Sequence, residues 1–91
     1  MQHHSENSKK LTKSLGDLIR QTRKDKGISC TKFAYQYDID KGNLNRIENG
    51  IIDSKFTTLW KISEALGIKL ADLIKELENE LDEDFKLDDC D

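Results

Sequence analysis

The spacing of apolar positions along the chain predicts five helices and no strand. Leu11, Leu15, Leu18, Ile19 and Thr22 recur at i, i+3 or i+4, the period of a helix with one buried face. Gly27 ends this helix, after the basic residues Lys24 and Lys26. Ser29 is placed to cap a second helix that carries Phe33, Ala34 and Tyr37 on one face. Only Asp38 and Ile39 separate it from Asp40, the cap of a third helix that ends at the strong stop signal Asn49-Gly50. A loop from Ile51 to Lys55 follows. Phe56, Leu59, Trp60, Ile62, Ser63 and Leu66 then mark a fourth helix ended by Gly67, and Leu70, Leu73, Ile74, Leu77 and Leu81 mark a fifth. The fold class is therefore all-α: one compact five-helix domain over residues 11–81. A polar tail over residues 1–10, expected to be disordered, precedes it, and an acidic tail over residues 82–91 follows.

Composition sharpens this picture in two ways. Charged residues make up 36% of the 91, with no proline, which fits a helix-rich, solvated surface around a small core. A core of that size gains from dimerisation. The net charge of −3 also conceals a split: +5 up to Lys75 and −8 from Glu76 onward. A basic body with an acidic tail points to a nucleic-acid surface, the tail serving either solubility or regulation.

Other classes find little support. Cys30 and Cys90 stand far apart with no ligand cluster and no secretory leader, which reads as free thiols in a reducing, cytoplasmic setting. His3 and His4 belong to the polar tail and do not define a metal site. No stretch approaches the ~18 apolar residues of a membrane span. No nucleophile–base pair or phosphate loop is legible, so neither an enzyme, a cofactor nor a small-molecule substrate is expected.

The informative stretch is Ser29 to Gly50: a short helix, a tight turn and a second short helix, the arrangement that lays its second helix in a DNA major groove. At 100° per residue, with Leu44 at 0°, Ile47 falls at about 300° and Glu48 at about 40°, all facing inward. Gly42, Asn45, Arg46 and Asn49 fall between about 100° and 200° and face outward, with Asn43 flanking them at about 260°. Asparagine can pair with adenine and arginine with guanine there, and Gly42 permits close approach. A polar face is more often simply solvated. This one is short, framed, and free of acids between Lys41 and Ile47. The inward Glu48 needs a buried partner, and Arg23 is the candidate.

These segments resemble the Xre family, the Cro and repressor type of helix-turn-helix protein, to which restriction–modification controller proteins are similar. The resemblance covers roughly Leu15 to Leu77. It rests on Leu15-Gly16-Asp17-Leu18-Ile19-Arg20-Gln21-Thr22-Arg23, Lys26-Gly27-Ile28-Ser29, Phe33-Ala34, Leu44-Asn45-Arg46-Ile47-Glu48-Asn49-Gly50 and Leu59-Trp60-Lys61-Ile62-Ser63-Glu64-Ala65-Leu66-Gly67-Ile68. It implies a lambda-repressor-like five-helix domain binding double-stranded operator DNA as a homodimer, in a bacterium or phage. It places Lys41, Gly42, Asn43 and Arg46 at base-contacting positions. Ser29, Cys30, Thr31, Lys32, Tyr35, Asn45, Asn49 and Lys55 are placed at or near phosphates, and Arg23 and Glu48 at a structural ion pair. The expected function is a sequence-specific transcriptional regulator, a repressor or autoregulator. The alternative is an interaction module that kept the fold and lost DNA binding.

Several residues depart from the family pattern. Cys30 stands where a glutamine usually bonds a phosphate; a helix N-terminus lowers a thiol's pKa, so a redox switch competes with an inert small residue. Asp38 replaces the usual turn glycine, and aspartate tolerates the left-handed region better than most residues. Ile51, Ile52 and Asp53 replace basic loop residues and leave only Lys55. Ile51, Ile52, Leu77 and Leu81 are expected at a dimer interface. Trp60, Phe33 and Tyr37 are expected in the core, and Tyr35 at the surface.

Overall fold

A computed structural model describes residues 6–87. They form five helices: α1 (Glu6–Asp25), α2 (Cys30–Gln36), α3 (Lys41–Glu48), α4 (Phe56–Leu66) and α5 (Leu70–Glu80). No strand occurs among the described residues, and none of their helices is long and apolar enough to cross a membrane. The apolar stripes meet in one core: Leu15, Leu18 and Ile19 from α1, Phe33 and Ala34 from α2, and Leu44 and Ile47 from α3. Ile62, Ala65 and Leu66 of α4 and Leu73 and Leu77 of α5 close it.

Helix α1 starts earlier than the apolar period indicates. Residues 6–10, expected within a disordered tail, form its first turns. A partner for this first turn lies 79 positions away: Asn7 Nδ2 donates to the carbonyl oxygen of Lys86 at 2.6 Å. The segment after α5 thus lies against the start of α1, with a turn closed by Phe85 N–H to the Asp82 carbonyl at 2.9 Å. Leu87 joins Leu11, Ile51, Ile52 and Leu77 in lining a cleft of about 670 Å³ at this junction. His3, His4 and Cys90 lie outside the described residues.

Three packing expectations are corrected. Trp60 is 52% exposed, because α4 buries Ile62, Ala65 and Leu66, and a residue two positions before Ile62 points about 200° away. Its ring meets Phe56 edge-on at 6.0 Å, and its indole N–H donates to Glu64. Tyr37 caps the end of α2 and is half exposed, its ring tilted against Phe33 at 5.6 Å. Leu77, expected at a partner's surface, is buried: it lies one turn beyond Leu73 and extends the same inward stripe. Leu81 and Ile52 are half-buried against the core, whereas Ile51 is exposed.

The α2–α3 turn is built around Asp38, whose φ of 54° is left-handed. Ile39 N–H reaches back to the Ala34 carbonyl at 2.9 Å, closing α2 as a glycine usually does. Lys61 Nζ donates to the Asp38 carbonyl at 3.2 Å and ties α4 to the turn.

Candidate nucleic-acid interface

Helix α3 spans eight residues, too few to persist alone in water. Its neighbours hold it at both ends. Asp40 Oδ2 accepts from the Asn43 N–H at 2.8 Å, the N-cap anticipated from the sequence. At the other end Gly50 turns left-handed (φ 71°), and Ile51 N–H closes on the Arg46 carbonyl at 2.8 Å. Leu44, Ile47 and Glu48 are buried; Lys41, Asn43, Asn45, Arg46 and Asn49 are exposed and Gly42 is half-buried.

α1 fixes the seat of α3 from behind. A Cβ on Gly16 would collide with the carbonyl oxygens of Ile47 and Glu48, so glycine alone lets the two backbones touch. Glu48, 2% exposed, receives Arg23 in a bidentate pair: Nε to Oε2 at 2.8 Å and Nη2 to Oε1 at 2.9 Å. Arg23 Nη1 also donates to the Ile28 carbonyl at 2.7 Å, tying the α1–α2 connection into the same network. These bonds to the carboxylate raise the Arg23 pKa further, against the opposing pull of burial.

Arg20 completes the arrangement, and the sequence reading missed it. Its Nε lies 3.6 Å from Glu48 Oε1, and its Nη2 donates to Asn49 Oδ1. The signal was available: Arg20 precedes Arg23 by three residues and so shares its helix face.

The exposed side chains of α3 are also held in place. Arg46 Nη1 donates to Asn43 Oδ1 at 2.9 Å. A Cβ on Gly42 would stand 3.2 Å from Asp40 Oδ2 and 3.5 Å from Arg46 Nη1, so its absence leaves the guanidinium room to fold back. The Cys30 thiol on α2 donates to Asn45 Oδ1 at 3.2 Å. Burial, then the Glu48 charge, pushes this thiol's pKa up, against the lowering expected at a helix N-terminus.

Around α3, Ser29 caps α2 by accepting from the Lys32 N–H at 3.1 Å. Thr31, Lys32 and Tyr35 are exposed, Tyr35 at 86%. Lys55 is exposed where α4 begins and makes no side-chain cap bond. No cluster of His, Cys, Asp or Glu able to hold a metal occurs among the described residues.

A short capped helix, anchored from behind and presenting an acid-free polar face beside a second short helix, defines a helix-turn-helix DNA-binding domain. The chain belongs to the helix-turn-helix family (HTH_3), which its residues 19–73 match. It is 38% identical over 66 residues to the control protein C.MunI of Mycoplasma sp., covering 71% of this chain and 89% of that protein. Among solved structures, the clp gene regulator ClgR of C. glutamicum superposes with a TM-score of 0.72 at 27% identity, covering 80% of this chain and 95% of that one. The restriction–modification controller C.AhdI of Aeromonas hydrophila does so with a TM-score of 0.65 at 24% identity, covering 68% and 94%. C.Esp1396I, solved as a tetramer with its natural 35 base-pair operator, gives 0.71 at 21% identity, covering 77% and 92%. The last two likenesses establish the fold alone. The protein is an all-α DNA-binding transcriptional regulator, and its relatives are regulators rather than enzymes.

Proposed function

We propose that this regulator is a repressor or autoregulator that binds a near-palindromic operator as a homodimer, α3 entering the major groove. The observation that carries this is the exposed face of α3, from Lys41 to Asn49, fixed from behind by Leu44, Ile47 and the Arg23–Glu48 pair. Lys41, Gly42, Asn43 and Arg46 contact bases. Ser29, Cys30, Thr31, Lys32, Tyr35, Asn45, Asn49 and Lys55 position the domain on phosphates. Likeness to the C.MunI control protein favours a regulatory role.

The test is selection of bound sequences from a random duplex pool, followed by gel shifts on the recovered site. Arg46→Ala is expected to weaken specific binding by about 1–3 kcal/mol and to relax one position of the site. Unchanged affinity and base preference would remove the contact assignment. An interaction module without DNA binding would show little affinity for duplex at any salt, whereas a DNA binder shows a steep salt slope.

We place the dimer surface on α4 rather than on the set that the apolar pattern implied. Leu77 is buried, and Leu81 and Ile52 are half-buried against their own core, leaving only Ile51 of that set exposed. Phe56 and Trp60 are exposed on α4 instead, and Trp60 borders an apolar groove with Ile68, Leu70 and Ile74. A partner presenting the same face covers this groove in the homodimer, with the two α3 helices about 34 Å apart, one turn of DNA. Trp60→Ser removes exposed apolar area without opening the core. Sedimentation should then show a shift from dimer towards monomer at micromolar concentration, with little loss of helicity. An unmoved equilibrium would place the interface elsewhere.

A further inference from the structure

The outward side chains of α3 offer hydrogen-bond donors and almost no acceptors. Lysine and arginine can only donate. An asparagine can do both, and reading adenine requires both: its oxygen takes the N6 amino hydrogen while its nitrogen donates to N7. Here the three asparagines of the helix have their oxygens engaged. Asn43 Oδ1 holds Arg46 at 2.9 Å, Asn45 Oδ1 holds the Cys30 thiol at 3.2 Å, and Asn49 Oδ1 holds Arg20. The guanidinium partners also fix which end of the Asn43 and Asn49 amides is which, because a guanidinium cannot accept. At Asn43 and Asn49 the oxygen lies beside a full positive charge, which repels a second approaching amino group even where a lone pair remains. The Nδ2 groups remain as donors. Asp40, the N-cap carboxylate, gives Oδ2 to the Asn43 N–H.

From this juxtaposition we infer that α3 is a donor-only reading surface, selecting base edges rich in acceptors: guanine O6 and N7, and thymine O4. The exocyclic amino groups of adenine and cytosine are disfavoured at the positions it faces. The inference rests on the DNA-binding reading above and adds the chemistry of the half-site. It also revises the expectation that these asparagines pair with adenine. Asn43 acts twice, positioning Arg46 and donating to a base itself.

The experiment uses the full chain and the site recovered from a random duplex pool. Replacing half-site guanines singly with 7-deazaguanine removes N7, and should lower affinity about fivefold or more at contacted positions. Replacing adenines with purine, which lacks the 6-amino group, should leave affinity within about twofold. Asn43→Asp keeps a partner for Arg46 and exchanges the Nδ2 donor for an acceptor. It should weaken the recovered site about tenfold and move one selected position towards a base that offers an amino group. Circular dichroism of the variant checks that the fold is kept. A loss of tenfold or more on removing adenine N6, or an unchanged base preference in Asn43→Asp, overturns the donor-only reading and leaves DNA binding standing. Duplex binding with no enriched sequence overturns it too, since such a face must discriminate. Absence of duplex binding at any salt overturns both readings together.

Discussion

Asp38 carries a backbone conformation that a Cβ makes unfavourable, at φ 54° in the turn between α2 and α3. The turn survives because Ile39 N–H still closes on Ala34 and Lys61 holds the Asp38 carbonyl from α4. Relieving the Cβ clash leaves both contacts in place, since both use backbone atoms at the turn. Asp38→Gly is therefore expected to stabilise the domain by about 0.5–1 kcal/mol, read as a raised urea midpoint at constant m-value. Operator affinity should not change, because α3 keeps its seat. Asp38 also shows what a sequence makes legible at this scale. Its left-handed placement was implied by the resemblance, which puts a turn glycine there, and the inward turn of Glu48 followed from a wheel. The oxygen of each asparagine did not follow, because its partner is set by which helix lies alongside.

At the scale of elements, the five helices and their order follow from apolar period and caps. What the period does not contain is how closely two helices approach. Gly16 appears in the sequence as one unremarkable position in an amphipathic helix, yet it sets the contact between α1 and α3. Two effects compete in Gly16→Ala. Helix propensity favours alanine by about 1 kcal/mol, and overpacking against two carbonyl groups opposes it by about 1–3 kcal/mol. The blocking atoms are backbone, which cannot turn aside, so the clash prevails. A thermal melt should show a lowered Tm, and specific DNA affinity should fall with it as α3 is displaced. Trp60 illustrates the opposite error: an aromatic residue at helical spacing looks like core until the buried stripe of Ile62, Ala65 and Leu66 shows where the helix faces.

At the scale of the whole molecule, the two ends of the described chain meet. Asn7 and Lys86 are joined, Leu87 lines the cleft beside Ile51 and Ile52, and Lys9 and Lys13 lie along the same cleft. The acidic run from Asp82 to Asp84 is thereby tethered to the basic start of α1, and Thr12 and Lys13 of that helix border Gly50 at the end of α3. Deleting residues 82–91 is expected to raise affinity for random duplex several-fold at low salt, the difference fading as salt rises. The triple exchange Asp82→Asn, Glu83→Gln and Asp84→Asn keeps Phe85 and Leu87 and should move in the same direction. Fluorescence anisotropy with a labelled duplex measures both; equal affinities for all three proteins would count against the idea. The charge split alone already suggests an acidic tail folding over the basic face; the Asn7–Lys86 contact adds where that segment lies.

The firm seating of the recognition helix has a mechanical corollary. A helix clamped at both caps, pressed on Gly16 and gripped by two arginines has little freedom to tilt towards an ill-fitting groove. Whatever adjustment docking demands then falls on the nucleic acid. In the proposed homodimer, base steps lying between the two half-sites would be chosen for how readily they bend or twist, so that flexible pyrimidine–purine steps there favour binding.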